Sequence, residues 1–252
     1  MEQTTQFDVE DSAWTSCLAP PPKYPPVVRS QLSNAGDKER NGEGEQFVVR
    51  KTYPRIVLIG GSTSQGSISQ SVLNHVARLI RAMQGIPEVF GRSEIDLPMF
   101  APESPTRTPA AVRLIEALRA SDGIVLVGAS CQGTISGMLK NALDYTEDLA
   151  KDPFPYFHGR AVGLIATEAR SREMGSTMMS LRSVVHALRG WPTPLGITIT
   201  SDAIAFDREG DCVQPDLAVQ MRTLAQQVMG FARNADDIGS MPSRLNLQSC
   251  PI

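Results

Sequence analysis

The chain has 252 residues, 41% hydrophobic and 20% charged, with a net charge of −3 at neutral pH. This is ordinary globular composition with apolar mass for one good core, and it offers no basic stripe for nucleic acid and no Lys/Arg cluster for a membrane surface. The longest apolar runs, such as Ile124 to Val127, fall far short of the roughly 20 residues a membrane-spanning helix needs. The first residues, MEQTTQFDVEDSAW, are acidic where a signal peptide is basic and then apolar; the expectation is a cytoplasmic protein. Cys17, Cys131, Cys212 and Cys250 are scattered without a C-x-x-C pair, so neither a disulfide framework nor a metal site is expected.

Residues 1–54 combine a proline-dense stretch, LAPPPKYPPVV, with a polar, mixed-charge stretch, SQLSNAGDKERNGEGEQ. Such a segment buries too little apolar surface to offset its ordering entropy and reads as a tail. PPPKYPP suits a polyproline II helix, which serves either as a spacer or as a ligand for an SH3-like partner. From residue 234 the chain turns polar again, giving a second, shorter tail over 234–252. The folded domain is expected over 55–233.

Within that domain, Ile56 to Gly60 reads as a short apolar strand. Val72, Val76, Leu79, Ile80 and Met83 then recur at helical spacing. Glu88 to Phe90 is a second strand. Thr108-Pro109 reads as an N-cap followed by proline at the first helical position, with Val112, Leu114, Ile115 and Leu118 as the buried face. Ile124 to Val127 is a third strand, and a helix follows from about Ser136 to Leu149. Val162 to Ala166 is the fourth strand, with a helix marked by Met178, Leu181, Val184, Val185 and Leu188. Ile197 to Thr200 is the fifth strand, and Pro215 opens a last helix carrying Leu217, Met221, Leu224 and Val228. Strands that are apolar throughout are buried on both faces. Five of them alternating with helices predict an α/β three-layer sandwich, a five-stranded parallel sheet with helices on both sides. Ligands of such sheets bind beyond the carboxyl ends of the strands, so the loops after strands one, three and four are the candidate site.

The first of these loops, GGSTSQGSIS, carries Ser62, Thr63, Ser64, Ser67 and Ser69. Their hydroxyls, with the free N–H groups and positive dipole end of the following helix, make a phosphate site without a lysine; capping serines on a plain turn are the structural alternative. The loop fits neither G-x-G-x-x-G nor G-x-x-x-x-G-K-[ST], which disfavours a dinucleotide Rossmann site and a nucleotide-hydrolysing P-loop. In the third-strand loop, VGASCQGTISGMLKNALDY, Gly128, Gly133 and Gly137 allow close backbone approach to something flat. Thr134 and Ser136 are positioned to cap the next helix.

The serine-rich first loop, the GTISGMLKNALDY string and the alternating order together resemble the NADPH-dependent FMN reductase family, of flavodoxin-like fold. The resemblance covers about residues 55–232 and excludes both tails; DPFPYFHGRAVG and LRGWPTPLG resemble one bacterial branch of it. It implies that Ser62, Ser64, Ser67 and Ser69 bind the FMN phosphate. It implies that Ala129, Ser130, Cys131, Gln132, Gly133 and Thr134 wrap the edge of the isoalloxazine ring, and that the fourth-strand loop from Thr167 to Gly175 adds backbone contacts. Ser64 stands where the family often has Arg. Ala129, Cys131 and Gln132 stand at the proline, aromatic and His/Asn of its usual S-P-x-Y-H/N-G. The lost aromatic removes stacking of about 0.5–1.5 kcal/mol beyond area burial. Glu168, Arg170, Arg172 and Glu173 make the fourth loop more charged than is common in the family. The arginines there suit either an NADPH 2′-phosphate or an acidic substrate, or are solvated surface charges.

What the resemblance implies is a flavin-dependent oxidoreductase with FMN and NADPH (or NADH) as cofactors, forming a homodimer or homotetramer. Its acceptor is free flavin for a partner monooxygenase, a quinone, an azo compound or a metal oxyanion. Flavin carries the chemistry, so no catalytic side chain and no metal are assigned; His75, His158 and His186 lack triad partners. Cys131 reads as a packed thiol or as a redox-tuning neighbour of the flavin. Lys140 and Asp144 form an i, i+4 surface pair, and Trp191-Pro192 serves a dimer contact or the core. Two readings stay open beside the reductase: a non-catalytic flavin-binding electron-transfer module, and a divergent member specialised for a biosynthetic step.

Overall fold

The computed structural model describes residues 53–61, 68–104, 106–168, 175–200 and 205–234. The expectations for both tails, for Ser62, Ser64 and Ser67, and for Arg170, Arg172 and Glu173 lie outside the described residues.

Six strands are ordered along the chain: β1 (Arg55–Gly61), β2 (Ile86–Phe90), β3 (Gly123–Cys131), β4 (Thr134–Ile135), β5 (Ala161–Glu168) and β6 (Trp191–Thr200). Five helices connect them: α1 (Ile68–Ala82), α2 (Pro109–Arg119), α3 (Gly137–Asp144), α4 (Ser176–Ala187) and α5 (Pro215–Arg233). The main strands lie in the order β2-β1-β3-β5-β6, every pair parallel. The expected five-stranded parallel sheet is thus present, in the flavodoxin-like order with its switch point between β1 and β3.

Alternation along the strands supplies both helical layers. Val57, Ile59, Ile124, Leu126, Val162 and Leu164 pack with Leu114, Leu118, Leu139, Leu143, Leu181 and Val185 of α2, α3 and α4. Ile56, Leu58, Val125, Val127 and Ile165 pack with Val72, Val76, Ile80, Leu224 and Val228 of α1 and α5. Thr108 caps α2 as expected, accepting the Ala111 N–H at 3.2 Å.

Four details differ from the sequence reading. Val112 is 45% exposed rather than core, because Leu114, Ile115 and Leu118 already complete the buried stripe of α2. The helix expected through Leu149 is α only to Asp144 and then tightens to a 3₁₀ turn over Tyr145–Leu149, a common way for a helix to end. β6 begins six residues before the expected Ile197, running through Pro192 and Pro194. Proline fits there because β6 is an edge strand, with one side free of ladder bonds. Trp191, offered above as a dimer or core residue, opens this strand 57% exposed, its ring tilted against Phe231 at 6.4 Å.

Among the described residues no helix is long and apolar enough to cross a membrane, and no group of His, Cys, Asp or Glu forms a metal-holding cluster.

Candidate functional site

Strand register brings the strand ends that precede the predicted loops to one place. Gly61 pairs with Gly128, Gly128 with Ala166 and Ala129 with Thr167, and Thr167 with Ile199. The last residues of β1, β3 and β5 therefore stand side by side at the carboxyl edge of the sheet, at the switch point.

The third-strand loop is a β-hairpin, which the sequence did not reveal. β3 and β4 pair antiparallel, Ser130 with Ile135 and Cys131 with Thr134. Only Gln132 and Gly133 lie between, at φ 50° and 84°. Two positive φ angles in a two-residue connection are the geometry of a type I′ hairpin. Gly133 is thus required by the turn. Gly128 also differs from its reading: an added Cβ would lie 3.1 Å from Leu181 Cδ1 and 3.3 Å from Ile135 Cγ2. Its missing side chain makes room for α4, not for a ring.

At the hairpin tip Cys131, Gln132, Gly133 and Thr134 are exposed, while Ala129 is buried and Ser130 half-buried. Thr134 caps no helix, contrary to expectation. Its hydroxyl donates to Ser180 Oγ at 3.0 Å, and Ser180 donates to the Ser176 carbonyl at 2.9 Å. The hairpin is thereby tied to the first turn of α4. Gly175, the predicted far end of the fourth loop, is exposed and sits at the N-cap position of that helix.

Ser136 does cap α3, accepting the Leu139 N–H at 3.3 Å. It also donates to the Gly61 carbonyl at 3.2 Å, joining the start of the first loop to the third. Ser69, read as a phosphate ligand, is fully buried, and its hydroxyl meets Thr167 Oγ1 at 2.9 Å. That contact joins α1 to the end of β5. Neither Ser136 nor Ser180 was singled out as a site residue; Ser136 was read only as a helix cap, and Ser180, inside α4, carries no local signal.

The polar residues of GTISGMLKNALDY are also placed. Asn141 Nδ2 donates to the carbonyls of Leu97 and Pro98 at 3.1 and 2.9 Å, and its Oδ1 accepts from Phe100 N at 2.8 Å. Tyr145 donates to the Pro98 carbonyl at 3.0 Å. Both pin the segment after β2. Lys140 and Asp144 pair on the surface as expected. Arg107 grips Asp148 through two bonds of 2.7 and 2.9 Å and lies over the rings of Phe100 and Tyr145 at 4.9 and 5.5 Å. The Asp148 hydrogen bond pushes the guanidinium above its ordinary value.

The chemistry of this edge fits a phosphorylated flat ligand. The first turns of α1, α3 and α4 carry no acidic residue, so those helix ends do not oppose an anion. The amino-terminal end of a helix carries the positive end of its dipole, which favours an anion. Among the described residues a single buried side-chain oxygen lacks a hydrogen-bond partner, Thr177 Oγ1, in the first turn of α4. A concavity of about 380 Å³ between Met83, Gln84, Met229 and Arg233 lies at the opposite, amino edge of the sheet. It is an open dip between two helix ends without convergent chemistry, whereas the ends of β1, β3 and β5 converge at the carboxyl edge.

Fold order and loop placement define a flavodoxin-like α/β protein. The chain belongs to the NADPH-dependent FMN reductase family, whose model matches residues 54–203; FMN and NAD(P)H are accordingly its cofactors. An FMN-dependent NADPH-azoreductase of Staphylococcus aureus is 28% identical over 124 residues, 48% of this chain and 62% of the azoreductase. The match thus spans less than two thirds of that relative. Among solved structures, an NADH:FMN oxidoreductase (EMOB) in its apo form superposes with a TM-score of 0.55 at 18% identity, over 70% of this chain and 88% of that one. FerB of Paracoccus denitrificans, a flavoenzyme NAD(P)H:(acceptor) oxidoreductase, gives 0.53 at 14% identity over 73% and 98%. At these identities the likeness speaks for the fold. The family match stops before α5, which still completes the helical layer beside α1.

Proposed function

We propose that this protein is an NAD(P)H-dependent FMN oxidoreductase that passes reducing equivalents from NAD(P)H through FMN to a small-molecule acceptor. The observation that carries the reading is the convergence of the carboxyl ends of β1, β3 and β5 at the switch point, in a chain of the FMN reductase family. Flavin supplies the redox chemistry when bound; the chain supplies position and surroundings. In this reading Ser62, Ser64 and Ser67 hold the phosphate together with the first amides of α1. Ala129 through Thr134 line the ring edge on the hairpin. Thr167 to Gly175 closes the third side.

The acceptor is free flavin for a partner monooxygenase, a quinone or an azo compound. The last is supported by the named activity of the S. aureus relative. An exposed hairpin tip leaves the ring edge open to such acceptors. We also propose a homodimer or homotetramer, a cytoplasmic location, and tails over 1–54 and 234–252 that are dispensable for flavin binding.

A visible spectrum of purified protein with added FMN, followed by NADPH under air, tests the reading. Binding with sustained NADPH loss is expected. Binding without turnover supports the electron-transfer module instead, and no binding at high micromolar FMN overturns both.

A further inference from the structure

The β3–β4 hairpin runs past the sheet that carries it. β1 pairs with β3 as far as Gly128, and β5 pairs with it as far as Ala129. From Ser130 to Ile135 the strand pairing is within the hairpin, and a two-stranded hairpin is marginal without further support. Helix α4 meets it at two levels. At the base, Leu181 Cδ1 lies 3.1 Å from where a Cβ on Gly128 would stand, and Ile135 Cγ2 lies 3.3 Å from it. Toward the tip, Thr134 donates to Ser180 Oγ at 3.0 Å, and Ser180 donates to the Ser176 carbonyl one turn back at 2.9 Å. A serine hydroxyl has one proton. Ser180 commits it to its own helix, so toward the hairpin it is an acceptor and Thr134 is the donor. Leu181 and Val185, both at 0% exposure, root α4 in the core, so the helix is the fixed end of this relay. The apolar contact at the base is non-directional, whereas the relay has a set length and angle. It therefore fixes the pitch of the tip, where Cys131, Gln132 and Gly133 are exposed.

We propose that Ser180 is a positioning residue for the flavin ring: by accepting from Thr134 it holds the hairpin tip at the ring edge. The assignment rests on the flavin reading above, in which Ala129 through Thr134 line that edge. Ser180 acts through Thr134 rather than on the ligand.

Ser180→Ala removes the acceptor at a position inside α4 where alanine is the better helix former, so Tm is expected to hold or rise. FMN and riboflavin share the ring and differ by the phosphate. Both are expected to bind this variant about fivefold more weakly, the scale of one net hydrogen bond. The visible band and the fluorescence anisotropy of the bound flavin are expected to shift toward those of free flavin. Thr134→Val removes the donor and keeps the branched shape. The double variant is expected to lose no more than Thr134→Val alone, as for two halves of one interaction. Ser180→Thr restores the hydroxyl and is expected to recover affinity for both flavins. A loss confined to FMN, a double variant that loses the product of the two single losses, or unchanged affinity in Ser180→Ala would overturn the proposal.

Amide hydrogen exchange in the flavin-free protein reads the hairpin without a ligand. Ser180→Ala is expected to speed exchange at residues 131–135 and leave β1 and α5 unchanged. Unaltered exchange there overturns the relay in a protein that still binds flavin. If wild-type protein binds neither flavin, the functional reading fails and the ring role with it, while the exchange result still decides whether Ser180 sets the hairpin.

Discussion

The two edges of the sheet are held together by different chemistry. At the amino edge Arg160 is buried, 8% exposed, and donates to the carbonyls of Ser121, Tyr156 and Arg119 at 2.9, 2.8 and 3.2 Å. Burial pulls this guanidinium below its ordinary value, against the attraction of Asp122 and Asp152. Nearby, Arg119 pairs with Asp152 at 2.7 Å. At the carboxyl ends of β1, β3 and β5 the described links are neutral hydroxyls: Ser69 with Thr167, Ser136 with Gly61, Thr134 with Ser180. A buried charge is a strong but expensive anchor, and it imposes its own field. Neutral links hold loops without competing for an anionic ligand. The placement suits an edge reserved for a phosphate.

The contrast is broken most severely at Arg160. Arg160→Met leaves three backbone carbonyls without their donor. It is expected to cost about 3 kcal/mol, or roughly 10 °C in Tm, with FMN affinity retained in the protein that remains folded. Thermal unfolding and a flavin titration on the same sample check this. Parallel loss of flavin binding below the melting range would show that the two edges are not independent.

Ser136→Ala is expected to act on both counts and less strongly. It removes the N-cap of α3 and the donor to Gly61, costing about 1–2 kcal/mol and weakening FMN several-fold on the same scale. Ser136→Asp would keep the cap but place a carboxylate at the ligand edge, so stability is expected to recover while FMN affinity does not. Recovery of both would argue against electrostatic reservation of this edge.

The smallest effect concerns pH. Burial and the Arg78 charge hold the His75 imidazole below its ordinary value, opposed by Asp211. As pH falls through about 6.5 the unfolded chain binds this proton before the folded one does. Stability is therefore full above that pH and is lost below it, down to the folded value. His75→Gln is expected to flatten this part of the stability–pH curve, read by chemical denaturation at a series of pH values.

The sheet was largely legible in the sequence, because uniformly apolar strands and the Thr108-Pro109 cap are local signals, whereas Arg160 and its carbonyl partners at the amino edge gave no such signal. The first half of β6 was not, since Pro192 and Pro194 read as breakers until the strand is seen to lie at an edge. The hairpin was hidden for a different reason. Cys131-Gln132-Gly133-Thr134 lacks the Asn-Gly or Asp-Gly signature of a two-residue turn. Its ties run to Ser180 and, through Ser136, to Gly61, distant partners that no local pattern exposes. Asn141 and Tyr145 stood in the most specific stretch of the family resemblance, yet their work is to hold the segment after β2. A specific motif marked the family without marking which residues face a ligand.

Hydrogen exchange mapped with and without FMN tests the central claim most directly, because it reports where flavin sits. The account predicts new protection at residues 129–135 and in the first turn of α1, with none around Met83, Met229 and Arg233. Protection at that opposite concavity, or none at the hairpin despite bound FMN, would contradict it.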